Sequence, residues 1–205
     1  MINYYQKYQN VIKSLADKPR LLLHSCCAPC SSTCLEELTK YFQVDVYFYN
    51  PNITLDSEFE KRLLEQVRFV KEVYGDTVKV INAGHNKEDF YSKIKGLEDM
   101  PERGARCRVC YALRLEKTAN YALDNGYDYF TTTLSISPHK NAEWINQIGE
   151  ELQKSLGVKF LNSDFKKQGG YIRSIELSKE YNLYRQDYCG CIFSRDKRRN
   201  TSFTA

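Results

Sequence analysis

The sequence predicts an α/β fold built on a mainly parallel sheet, and three observations carry that prediction. Short β-prone runs alternate with longer segments whose apolar residues recur at helical spacing. Proline, glycine and asparagine fall between them as stops. No apolar run approaches the about 18 residues that a membrane span needs. Alternation of this kind packs as helices over a parallel sheet. With 205 residues, 42% hydrophobic and 27% charged, the chain is read as a single domain over 1–205 with a sizeable core, and disorder is excluded.

Each element follows in order. An amphipathic helix at about Tyr4 to Leu15 occupies an N-terminal segment, 1–19, and "DKPR" leads into a β-like run, Leu21 to Leu23. The stretch "HSCCAPCSSTC" then reads as a loop, with a turn at Pro29 bringing Cys30 back beside Cys26 and Cys27. A helix is expected near Thr33 to Tyr41, and "VDVYFYN" (Val44 to Asn50) is a strand stopped by "PN". Phe59, Leu63, Val67, Val70 and Val73 mark a helix with Ser57 as N-cap and Gly75 as stop. "VKVINA" is a third strand, "KEDFYSKIKGL" a short helix and "EDMPERGARC" a loop. A helix from Arg108 to Asn125 ends at Gly126, and "DYFTTTL" is a fourth strand. "NAEWINQIGEELQKSLG" is helical, "VKFLN" is a fifth strand, and "GGYIRSIELSKEYNLY" is helical within an irregular C-terminal part. In a parallel sheet the ligand crevice lies beyond the carboxyl ends of the strands. The cysteine loop and "TTTLSISPH" would therefore open onto one rim.

The opening "MINYYQKYQNVIKSL" lacks the charged start and apolar centre of a signal peptide, so a cytoplasmic protein with no membrane partner is expected. In a reducing compartment eight cysteines point to metal binding or redox chemistry rather than structural disulfides. The net charge of +4 is unevenly placed. From Lys166 onward nine Lys/Arg stand against four acids, which suits an anionic partner as well as a solvated tail.

The cysteines fall into "CCAPC" (Cys26, Cys27, Cys30), an isolated Cys34, "CRVC" (Cys107, Cys110) and "CGC" (Cys189, Cys191). Two distant C-x-x-C pairs are a metal signal, because each brings two thiolates onto one ion. "RCRVC" leads into a helix, whose N-terminal amides, with Arg103, Arg106 and Arg108, favour thiolates. A closed zinc knot of Cys27, Cys30, Cys107 and Cys110 would use half of the cysteines. An iron–sulfur cluster accommodates more thiolates from separate loops. Cys34, a helical turn after Cys30, suits a buried thiol. Cysteines one residue apart, relaxed by Gly190, can form a strained, reducible disulfide, and such pairs tend to be catalytic or regulatory. A dithiol holds two electrons and a cluster passes one, so the two together suit a two-electron reaction fed by single electrons.

Weaker signals are His24 before the cysteine loop, His139 and "SISPHK" after the fourth strand, and "YNPNI" with Asn50 and Asn52. Asp164 in "NSDFKK" could ligate a metal, donate a proton or sit in an exposed turn. The 16 tyrosines suit single-stranded nucleic acid, though most fall at core spacing.

Together, "HSCCAPCSS", "FYNPNI", "RCRVCYALRLEKTANYA", "TTTLSISPHKN" and "DFKKQGGYIRSIELSKEYNLYRQDYCGC" resemble the cobalamin-independent epoxyqueuosine reductases of the QueH type. The resemblance runs from about His24 to Ser194. It implies reduction of the epoxide of epoxyqueuosine to queuosine at the wobble position of tRNA. It further implies a Rossmann-like three-layer sandwich of the adenine-nucleotide-hydrolase/PP-loop type. The family's 4Fe-4S ligands carry over to Cys26, Cys27, Cys107 and Cys110, and its redox-active pair to Cys189 and Cys191. Cys30 belongs to the motif and is expected at the same pocket, on a second iron. Asp164, Asp187 and His24 are the candidate proton donors, with Asp164 favoured. Leu55 stands where the pattern leads one to expect proline, and Cys34 lies outside the pattern.

The implied partners are epoxyqueuosine-containing tRNA, met by the basic tail 195–205 with its "RDKRRN", and an unidentified electron donor. Two other classes compete. An ATP-dependent tRNA-thiolating iron–sulfur enzyme needs a glycine-rich pyrophosphate loop after the first strand, and "HSCCAPCSS" has no glycine. A zinc-stabilised nucleic-acid module leaves half of the cysteines unused.

Overall fold

The computed structural model describes residues 2–195, so the basic tail expected at 195–205 lies outside the described residues except for Arg195. The elements are α1 (Tyr4–Ser14), β1 (Arg20–His24), α2 (Ala28–Leu38), β2 (Gln43–Phe48), α3 (Asp56–Tyr74), β3 (Val80–Asn82) and α4 (Lys87–Ile94). There follow α5 (Ala105–Asp124), β4 (Tyr129–Thr132), a 3-10 turn (Thr133–Ile136), α6 (Ala142–Leu156), β5 (Lys159–Phe160) and α7 (Gly170–Glu180).

The five strands form one parallel sheet in the order β3-β2-β1-β4-β5. Strand alternation sorts the core into two layers. Leu22, Tyr47 and Phe130 face Ile94 of α4, Leu115 of α5 and Ile145 of α6. Leu21, Leu23, Val44 and Val46 face Tyr8 of α1, Leu35 and Leu38 of α2, and Phe69 of α3. Helix α7 packs on α2. The sheet is thus covered on both faces, the arrangement that a run of buried parallel strands requires. Successive strands run outward from β1 toward β3 on one side and through β4 to β5 on the other. The carboxyl ends of β1 and β4 therefore flank the switch point, where crevices open in such sheets.

Several boundaries differ from the sequence reading. Helix α2 begins at Ala28, not near Thr33, because Pro29 occupies its first turn, where a fixed φ and a missing N–H are favourable. Cys30 is accordingly brought round by a helical turn rather than by a loop. Ser57 does not cap α3, which starts at Asp56 after Leu55. Gly75 does end it, with φ at +59°. β4 stops at Thr132, whose side chain caps the following 3-10 turn by accepting from the Leu134 N–H. Among the described residues no helix is long and apolar enough to cross a membrane.

One glycine marks the tightest contact between layers. A Cβ on Gly149 would lie 2.4 Å from the buried Phe160 ring. Gly149→Ala is expected to lower stability by about 1–3 kcal/mol through overpacking, read as a lower urea midpoint with unchanged slope.

Candidate metal centre

Four segments converge beyond the carboxyl ends of β1 and β4. The first is the β1–α2 junction. Ser25 donates to Gln66 Oε1 at 2.7 Å, and Asn50 Nδ2 donates to the Ser25 carbonyl at 2.8 Å. Gln66 also donates to Ser31 at 2.9 Å, so α3 and the end of β2 clamp both sides of the junction. Cys27 caps α2 in extended backbone. The Sγ atoms of Cys26 and Cys27 lie 3.8 Å apart. Those of Cys26, Cys27 and Cys30 all fall within 4.8 Å of one another. Adjacent cysteines meet because the strand ends at His24, leaving Cys26 and Cys27 outside the sheet's alternation.

The second segment is the N-terminus of α5. The Gly104 backbone begins it, and a Cβ there would come 2.9 Å from the Pro101 carbonyl oxygen. The Arg103 N–H donates to Cys107 Sγ at 3.3 Å. The Arg103 guanidinium reaches the carbonyls of His139 and Pro138 at 3.2 and 3.3 Å, fixing α5 to the third segment, the loop after β4. Arg106 does not face a thiol directly. It donates to the carbonyls of Leu97, Glu98 and Met100 and organises the loop before α5.

The fourth segment carries Cys189 and Cys191. Gly190 has φ at +113°, and a Cβ there would lie 2.8 Å from Ile53 Cγ1. Its carbonyl accepts from the Thr54 N–H at 3.1 Å. Arg62, from α3 and 1% exposed, donates to the carbonyls of Cys189 and Tyr188 at 3.2 and 3.3 Å. It is ion-paired with Glu58 at 2.6 Å. Gln186 donates through Nε2 to Cys27 Sγ at 2.9 Å.

These segments enclose a cavity of about 300 Å³ lined by Cys26, Cys30, Cys107, Cys110, Cys189 and Cys191. Cys27 lies directly behind Cys26. All eight cysteines are free thiols. Arg62, Arg106, Arg114, Lys140 and Arg185 supply positive charge to the same walls, against Glu102 and Asp187. The Cys26 thiol is held well below its usual pKa, because Cys27 and Cys30 donate hydrogen bonds to it and Lys140 and Arg114 add their fields. Burial, with the donation to Cys26, pushes Cys27 up to about 12. Burial likewise pushes Cys110 to about 11 and Cys191 to about 12. Cys107 is also raised, since burial outweighs the Arg103 N–H and the Arg106 charge. The helix N-terminus and neighbouring arginines therefore do not by themselves make "CRVC" a pair of thiolates; a bound cation is needed.

The remaining candidates are dispersed. Cys34 is fully buried in the opposite layer with Leu35 and Phe42. His24 is fully buried, hydrogen-bonded to Thr132 Oγ1 at 2.8 Å and to the Tyr49 carbonyl at 3.1 Å. Burial and Arg114 lower its pKa to about 3, so it is a neutral strut that is not on the cavity wall. Asn50 Nδ2 is spent on the Ser25 carbonyl while its Oδ1 is buried without a partner, and Asn52 and His139 line the cavity. Asp164 is ion-paired with Lys166 and lines a second cavity with Tyr8, Glu36 and Arg173. The structure does not bring it to the thiols; Asp187 is there instead.

Arg62, Gln66, Arg114 and Gln186 line or support the site and were missed by the sequence reading, whereas Lys140 closes the "SISPHK" signal. Helical spacing could have found Arg114, which follows Cys107 and Cys110 by seven and four positions on α5.

A set of thiols from separate segments in a cation-lined cavity fits an iron–sulfur centre. Comparisons with known proteins place the chain in a family. The family described as "Epoxyqueuosine reductase QueH" matches residues 21–197. The QueH of Streptococcus pyogenes serotype M1 is 44% identical, over 94% of this chain and 78% of its own length. That of Staphylococcus epidermidis is 45% identical, over 96% and 86%. That of Thermotoga maritima is 40% identical, over 87% and 92%. Among solved structures, the U34-tRNA thiolase NcsA from Methanococcus maripaludis with its [4Fe-4S] cluster superposes with a TM-score of 0.55 at 15% identity. That match covers 93% of this chain and 67% of the thiolase, and it establishes the shared Rossmann-like three-layer fold. By matched span and by identity over nearly its whole length, the chain belongs to the QueH family of epoxyqueuosine reductases.

Proposed function

We propose that this protein reduces the epoxide of epoxyqueuosine to the alkene of queuosine at the wobble base of tRNA, in the cytoplasm. The observation that carries the reading is the convergence of six thiols on one cation-lined cavity in a chain of this family. Cys26, Cys27, Cys107 and Cys110 would hold a [4Fe-4S] cluster, which supplies electrons one at a time. Cys30 lies within 4.8 Å of Cys26 and Cys27 and is left over by that ligand set. It would be a ligand of the second iron expected from the sequence.

The reaction balances on this chain's own groups. Opening the epoxide to an alkene takes two electrons and two protons and releases the oxygen as water. Oxidation of the Cys189 and Cys191 thiols to a disulfide yields two electrons and two protons. An external two-electron reductant would return the resulting disulfide to the dithiol. Asp187 stands on the cavity wall beside this pair and is the carboxyl group placed to pass a proton to the departing oxygen; it takes the role first given to Asp164. Asn52 Oδ1 and Gln186 Oε1 are buried acceptors without partners, available to substrate hydroxyls. A wobble base belongs to a single-stranded loop, so drawing it into a cavity costs little stacking. The basic segment from Arg195 onward would meet phosphates and contribute affinity without reading sequence.

The test is anaerobic purification followed by iron and sulfide analysis and incubation with tRNA carrying epoxyqueuosine, with digested nucleosides followed by mass. Brown protein that converts the epoxide to queuosine supports the reading. Colourless protein with one zinc and no conversion overturns it.

A further inference from the structure

Among the described residues, Arg114 is a buried cation without a counter-ion. Its side chain is 1% exposed. Nε donates to the Cys110 carbonyl at 3.1 Å, while Nη2 is buried with no hydrogen-bond partner. Among the described residues no carboxylate lies within ion-pairing distance of it; Arg62, equally buried, has Glu58. A buried charge in that condition is a large liability unless something anionic compensates it. Helical spacing sets Arg114 on the face of α5 that carries Cys107 and Cys110. Cys110, Cys189 and Cys26 lie within reach of its field, and its guanidinium is 5.8 Å from the Tyr111 ring centroid. Lys140, also on the cavity wall, lies within reach of Cys26, Cys189 and Cys30 in the same way.

We propose that Arg114 is the built-in counter-charge of the iron–sulfur cluster and sets its reduction potential. The proposal rests on the cluster-ligand reading above. A cluster held by four thiolates is anionic and gains a further negative charge when reduced. A fixed guanidinium in a low-dielectric wall favours the reduced form, and hydrogen bonding and charge near the sulfurs are among the levers that set such potentials. Reduction must be favourable enough for an external donor to load the site. Arg114 is thus a positioning residue in the electronic sense, acting through the cluster and not on the substrate.

The test compares wild type with Arg114→Met and Arg114→Lys, each loaded with iron and sulfide anaerobically. The midpoint potential is read by titration monitored with electron paramagnetic resonance. Arg114→Met is expected to weaken one-electron reduction at least about tenfold, a shift of about 59 mV to more negative potential. Arg114→Lys is expected to restore most of it. The metal-free proteins give a second readout. If the guanidinium serves the cluster, metal-free Arg114→Met melts at or above the wild-type temperature, because an unpaired buried charge has been removed. An unchanged potential in cluster-bearing Arg114→Met overturns the proposal. So does an Arg114→Met chain that fails to fold without metal, which would make the guanidinium a structural strut. Wild type that takes up no cluster under the same conditions overturns the ligand reading itself, and is recognised before any variant is measured.

Discussion

Cys189→Ser and Cys191→Ser are each expected to retain the iron of the wild type and to lose turnover to background, while Cys107→Ser loses the cluster colour altogether. The distinction follows from where the thiols are anchored. Cys107 sits in the first turn of α5, fixed by the Arg103 N–H. Cys26 and Cys27 sit at the β1–α2 junction. Cys189 and Cys191 belong to a separate segment that docks from outside, through Arg62, through Thr54 and through the Ser194 hydroxyl on Glu102. Burial pushes the Cys191 pKa to about 12, so this thiol keeps its proton at neutral pH and has it to give when it is oxidised. A single-turnover experiment makes the electron count explicit. Fully reduced wild type, given epoxyqueuosine-containing tRNA and no donor, should form about one queuosine per chain and lose two titratable thiols. Neither serine variant should do so. Full activity in both variants would remove the dithiol from the mechanism and leave the cluster and second iron to supply both electrons.

Much of this site was legible in the sequence because its chemistry sits at the ends of regular elements. A β-like run followed by "HSCCAPC" places three thiols past a strand, and Pro29 fixes the helix start behind them. "CRVC" opens a helix in the structure as the sequence predicts, three residues earlier than expected. What could not be read was the set of polar side chains that hold the four segments together. The stripe Phe59, Leu63, Val67, Val70, Val73 was expected to face the core, yet Val67 is 44% exposed. The buried face of α3 instead carries Phe59, Arg62, Gln66, Phe69 and Val70. Hydrophobic periodicity is blind to a helix that buries arginine and glutamine because loops from elsewhere supply their partners. Arg114 is buried on α5 in the same way, while Gln186 lies in an irregular segment where no periodicity exists to read. Asp164 misled for the converse reason: it lies near functional motifs in sequence, but its turn opens into a different cavity, beside Lys166.

Arg62 is where the buried polar face of α3 has its largest consequence. Arg62→Met is expected to destabilise the protein by about 3–5 kcal/mol, since it leaves Glu58, whose side chain is 11% exposed, unpaired beside an apolar side chain. Glu58 keeps one donor, the Tyr184 hydroxyl at 3.0 Å, which places the cost toward the lower end. Neutralising the orphan in the double variant Glu58→Gln/Arg62→Met should recover much of that stability, and the non-additivity measures the ion pair. Docking of the redox segment is a separate matter. The carbonyls of Cys189 and Tyr188 take their donors from Arg62 itself, and Gly190 packs within 3.3 Å of its guanidinium if a Cβ is imagined there. The double variant should therefore regain its urea midpoint and its iron while remaining impaired in turnover, because Cys189 and Cys191 no longer hold a fixed place over the cavity. Recovery of stability and turnover together would mean that Thr54 and the Ser194–Glu102 contact suffice to seat the segment, and that Arg62 serves only the packing of α3.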